Sequence, residues 1–120
     1  MALLPRFLIF VVALLHIYFM LLEMVFWQQP LGLKTFSMTP EEAALMAPLA
    51  FNQGLYNGFL ASGLIWGLLS KRLDVVIFFL LCVSMAGIVG GLTVKFSIFF
   101  IQSLPALGAL FSLWILKPKD

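Results

Sequence analysis

Four long apolar runs dominate the chain, from about Leu4 to Trp27, Pro48 to Leu69, Leu73 to Val94 and Phe96 to Leu116. Each approaches or exceeds the roughly 20 residues that a helix needs to cross a bilayer core about 30 Å thick. Backbone groups in lipid must be satisfied within the segment or in a closed barrel, and the alternating pattern of barrel strands is absent. The pattern therefore predicts an all-α membrane protein, a four-transmembrane-helix bundle. The second and third connections, Ser70 to Arg72 and a turn around Lys95, are short and make antiparallel neighbours. The first, Gln28 to Ala47, is long and contains Thr39-Pro40-Glu41-Glu42. There Thr39 caps a helix, Pro40 takes its first position and Glu42 completes a capping box at the positive helix end. A short extra helix is expected from Pro40 toward Ala47 in this first external connection. It either lies at the interface or leads into the second span through a kink at Pro48.

Composition agrees with this pattern. Of the 120 residues 63% are hydrophobic and 10% charged, with a mean hydropathy of +1.14, which is far from the balance of a soluble domain. Residues 1–120 are expected to form one integral membrane domain with the lipid bilayer as principal partner. The net charge of +2 is too small and scattered for a basic stripe, so no nucleic-acid partner is expected. Basic residues orient the helices instead: Arg6, Lys71, Arg72, Lys117 and Lys119 fall on one side, Lys34 and Lys95 on the other. Five against two predicts cytoplasmic N- and C-termini. Arg6 before an apolar stretch resembles a signal-peptide start, but the run continues past His16 to Trp27 without a small-x-small cleavage pattern. The first helix is therefore expected to stay. Cys82, the one cysteine, lies inside an apolar run and reads as packing. No internal repeat stands out.

Ionisable residues inside a span are costly and usually face a bundle interior or water. The first span has two, His16 and Glu23, on one face with Met20 and Trp27. The second carries Asn52-Gln53-Gly54-Leu55-Tyr56-Asn57-Gly58. Asn52 with Tyr56, and Gln53 with Asn57, are four apart, so a broad polar face is expected to turn away from lipid. Thr93, Gln102 and Ser103 also fall toward the outer half, which points to an outward-facing polar pocket between the first two helices. The competing reading for such amides and hydroxyls is interhelical glue. Glu23 alternatively pairs at the interface with Lys95 or Lys34. A metal set of His16, Met20, Glu23 and Met24 is too loosely spaced, and neither a metal nor a cofactor is expected. Gly87-x-x-x-Gly91 is a helix-packing face, toward another span or a second protomer.

The combination of His16, Leu22-Glu23-Met24, Trp27 and Phe36 with Asn52-Gln53-Gly54-Leu55-Tyr56-Asn57-Gly58-Phe59-Leu60-Ala61 resembles the small bacterial membrane proteins grouped as domain of unknown function 1304. The resemblance implies a multi-pass protein of the bacterial inner or plasma membrane and no particular activity. The expectation from the residues is binding or transport of a small polar or amphipathic ligand by His16, Glu23, Asn52, Gln53, Tyr56 and Asn57, with a homodimer supplying any conduction path. No catalytic set is expected. Alternatives are a small membrane enzyme or oxidoreductase accessory subunit using His16 and Glu23, and a purely structural membrane partner.

Overall fold

A computed structural model describes residues 1–117. The chain is all-helical, with no strand among the described residues: α1 (Leu3–Met24), α2 (Pro30–Thr35), α3 (Pro40–Leu69), α4 (Leu73–Thr93) and α5 (Leu104–Ile115). A π-helical turn, Phe99–Ser103, leads into α5. Two helices, α1 and α4, are long and apolar enough to cross a membrane. Only a third of the apolar window of α4 is buried, whereas the core helix of a soluble protein would be mostly covered. Phe99–Ile115 is a shorter apolar stretch, and the amides of Asn52 to Asn57 dilute the apolar character of α3. Of the basic residues counted for orientation, Lys119 lies outside the described residues.

Of the two courses expected for the helix that starts at Pro40, the structure takes the second: it leads through Pro48 into the second long apolar run as one helix, α3. The capping box forms as read: the Thr39 amide donates to Glu42 Oε1 at 3.2 Å and the Glu42 amide to Thr39 Oγ1 at 3.1 Å. The helix it starts does not stop near Ala47, because Pro48 is absorbed inside α3. Pro48 costs α3 one in-helix donor, the one that would serve the Ala44 carbonyl. Nearer the start of α3 the Trp27 indole donates to the Ala43 carbonyl at 3.0 Å. The separate short helix is α2, which begins on Pro30 and ends where Ser37 takes a left-handed φ of 52°. The Met38 amide then reaches back to the Leu33 carbonyl at 2.9 Å, closing the terminus.

The chain forms two compact units, Met1–Ala13 with Ser62–Asp120, and Leu14–Ala61. The first is built on close approach at glycines. A Cβ on Gly67 would lie 2.6 Å from Val76 Cγ2, and one on Gly63 would strike the Phe79 ring, so the end of α3 sits directly on α4. Lys71, with φ 56°, ends α3, and the Arg72 amide returns to the Gly67 carbonyl at 2.9 Å. Farther along α4, Gly87 faces Ser103 and Gly91 faces Phe99, so both glycines of the packing motif meet the same chain. Ser103 Oγ donates to the Ser84 carbonyl at 2.6 Å, a buried bond between α4 and the π turn. Pro105, two residues later, removes the donor that would serve the Ile101 carbonyl, and the widened turn accommodates that loss.

These contacts separate two glycines of similar sequence appearance. Gly87→Ala would drive its methyl into Ser103 and is expected to cost about 1–3 kcal/mol. Gly108→Ala meets nothing within 4 Å and should be neutral or stabilising by about 0.5–1 kcal/mol. Unfolding of the purified protein by SDS titration from mild detergent measures both.

Candidate functional site

The candidate residues lie in the unit Leu14–Ala61, where α1 and α3 meet along one seam. On α1 the spacing His16, Met20, Glu23, Trp27 places four side chains on one stripe. On α3 the inward positions are Ala43, Ala47, Ala50, Gly54, Asn57 and Ala61, spaced four, three, four, three and four. This alternation keeps a single stripe facing a partner helix. Every member but Asn57 is small, which lets the backbones come close. A Cβ on Gly54 would lie 2.5 Å from Met24 Cγ and 3.2 Å from the Met20 carbonyl oxygen, and one on Gly58 would lie 2.8 Å from Met20 Sδ.

Into this close approach projects the one polar member of the seam. The Asn57 side-chain amide donates to Glu23 Oε1. Asn57 is 5% exposed and Glu23 is half-buried, so the pair joins two apolar helices through a largely desolvated hydrogen bond. A carboxylate supplies two acceptor oxygens, and the Asn57 amide occupies one of them.

The polar run of α3 does not act as a single face. Asn57 turns inward, while Asn52, Gln53 and Tyr56 lie outside the seam, Tyr56 being 49% exposed. Helical spacing explains the division: Gln53 and Asn57 are neighbours along a ridge, but the stripe running through Gly54 and Asn57 leaves Gln53 at its edge. His16 is fully buried, with the Phe19 ring edge-on at a centroid distance of 5.3 Å. Seven residues separate His16 from Glu23, or about 10 Å of helical rise. Among the six, a side-chain hydrogen bond joins Asn57 to Glu23.

Trp27 closes one end of this unit. It is buried among Ala43, Ala50, Leu33, Met38 and Ala47, and its ring lies 4.9 Å from that of Phe36. Gly32 of α2 rests on the backbone of Phe26 and Trp27, where any side chain would collide with carbonyl groups. The contribution of Gly54 and Gly58 was legible in the spacing of small residues along α3, a signal masked by the more conspicuous amides between them.

A family model described as "Protein of unknown function (DUF1304)" matches residues 10–114. The chain belongs to the DUF1304 family. That match spans the whole α1 to α3 seam of this DUF1304 protein, Glu23 and Asn57 included. No curated protein and no solved structure matches the chain.

The geometry predicts unequal effects at the two ends of the bond. Asn57→Ala removes the donor and strands a partly buried carboxyl group, with an expected loss of about 1–3 kcal/mol. Glu23→Gln retains an acceptor oxygen at the same place and should lose less than about 1 kcal/mol. SDS-titration unfolding of the two variants beside the wild type gives the comparison.

Proposed function

We propose that this DUF1304 protein is a multi-pass integral membrane protein that binds or moves a small polar or amphipathic ligand, with Glu23 and Asn57 as its polar centre. The observation that carries the reading is the Asn57 to Glu23 bond inside an otherwise apolar helix seam. Ionisable groups are kept at membrane depth mainly where they meet a substrate, an ion or a proton. Asn52, Gln53 and Tyr56 are the exposed polar groups beside it, available to orient a ligand by amide and hydroxyl hydrogen bonds. His16, two turns along the same stripe, is the further ionisable group on a route from the centre. The distance between His16 and Glu23 along α1 favours a route over an acid and base acting on one small substrate. One protomer is small, so a second copy is the natural partner for completing a conduction path.

The topology we propose has four crossings, in α1, α3, α4 and the Phe99–Ile115 stretch, with both termini cytoplasmic. α3 has 30 residues, about 45 Å of helix. This leaves its first turns, with Glu41 and Glu42, beyond a core about 30 Å thick. The Lys and Arg imbalance supports the orientation. Expressed in cells on a Cys82→Ser background, Lys34→Cys is expected to react with a membrane-impermeant maleimide and Lys71→Cys to react only after lysis. Equal labelling of both in intact cells overturns this topology.

Ligand binding is tested by separating stability from occupancy. Asn52→Ala, Gln53→Ala and Tyr56→Phe alter exposed groups and should move the unfolding midpoint by less than about 0.5 kcal/mol. A ligand present at about 100 times its Kd stabilises the wild type by about 2.7 kcal/mol. That shift should shrink in these variants. Native mass spectrometry of the same samples reads copurified ligand and copy number. A wild type that carries no ligand and gains stability from none of a panel of polar and amphipathic compounds would falsify the binding role.

A further inference from the structure

A second chemistry lies in the unit Met1–Ala13 with Ser62–Asp120. A cavity of about 320 Å³ is lined by Met1, Ala2 and Arg6 at the start of α1, Leu68, Lys71 and Leu73 around the α3 to α4 turn, and Leu113, Leu116 and Lys117 at the end of α5. Three cationic side chains thus converge on one space. Among the described residues the one ion pair is Arg72 with Asp74, at 2.5 Å, and neither of the two lines the cavity. No described carboxylate offsets Arg6, Lys71 or Lys117, all three of which are exposed.

Next to it runs an apolar groove lined by Leu3, Phe7, Phe10 and Leu69, which shares Arg6 and Leu68 with the cationic cavity. A cationic chamber continuous with an apolar channel fits an amphiphile, with its anion in one and its chain in the other. Volume agrees, since about 300 Å³ is the lower end for small-molecule sites and suits a headgroup rather than an entire lipid. Depth agrees too. Trp66 and Trp114 are exposed on the turns that end α3 and α5 beside the cavity, and tryptophan at helix ends marks the headgroup level. Arg6 supplies a planar fork for two phosphate oxygens, and Lys71 and Lys117 supply point charges on flexible stems.

We infer that this cavity binds the phosphate headgroup of an anionic membrane phospholipid, with an acyl chain lying along Leu3, Phe7, Phe10 and Leu69. The lipid, rather than free phosphate, is the occupant, because the apolar groove would have no role for a soluble anion. The site is independent of the Glu23 centre and stands whether or not that centre binds a ligand.

The test is native mass spectrometry of the full chain in detergent, titrated with phosphatidylglycerol, phosphatidylcholine or inorganic phosphate. One phosphatidylglycerol per chain is expected, bound at least about tenfold more tightly than phosphatidylcholine. Arg6→Gln, Lys71→Gln and Lys117→Gln should each weaken it about fivefold, the factor that one basic side chain contributes beside an anionic headgroup. Lys95→Gln removes the same charge elsewhere and should stay within about twofold. Unfolding midpoints of the variants confirm that they fold, and three separate positions guard against one that does not. Equal binding of the two lipids overturns the inference. So does an equal loss in Lys95→Gln, which would mean diffuse charge attraction, or binding of inorganic phosphate with no added affinity for the lipid.

Discussion

A carboxyl group placed in an apolar helix constrains everything packed around it. It must meet water, a cation or a hydrogen-bond donor, because its desolvation is otherwise too costly to sustain. Here the donor is Asn57. An asparagine side chain is short, so the two helices have to approach closely for it to reach Glu23. That approach is what Gly54 and Gly58 permit, with Met24 and Met20 filling the space a side chain would take. The small-residue seam and the polar bond are therefore one device. Either alone would be weaker: glycines without a directional bond leave rotation about α3 loosely fixed, and the bond without glycines cannot form.

A related arrangement recurs in the other unit with neutral partners. Gly87 brings α4 against Ser103, whose hydroxyl donates to the Ser84 carbonyl. Ser84 in turn donates to the Leu80 carbonyl within its own helix, at 2.8 Å. Both units thus combine close packing at a glycine with one directional side-chain bond. The difference lies in the chemistry. Each serine spends its one donor in such a bond, whereas a carboxyl group bound through one oxygen keeps a second oxygen beyond its helix partner.

Much of this was legible in the residues. Long apolar runs announce helices, and the Thr39 to Glu42 pattern announces a helix start that the structure forms bond for bond. The shared stripe of His16, Met20, Glu23 and Trp27 was readable from period alone. Three things were not. Pro48 left two courses open, a separate helix or one that continues, and α3 runs through it, since whether a proline ends a helix depends on what neighbours offer the freed carbonyl. The short α2 depends on Gly32 lying against the backbone of Trp27, a tertiary contact without a local signature. The amide run looked like one face because four-residue spacing was applied to each pair separately. The alternating four and three of the alanines and glycines is the longer pattern, and it decides that Asn57 turns inward while Gln53 does not.

The choice of glutamate at position 23 remains to be accounted for on physical grounds. If the seam needed only an acceptor for Asn57, glutamine would supply one with the same length and shape. It would carry no ionisable group into an apolar setting, where a charge costs several kcal/mol more than an amide. A purely structural role therefore explains the asparagine and the glycines but leaves the glutamate as an unneeded burden. The role proposed above, in which Glu23 also meets a ligand or exchanges a proton, would account for all three together. It also explains why the neighbouring amides and phenol on α3 stay outside the seam: groups already consumed by helix packing would have nothing left to offer a ligand arriving at Glu23.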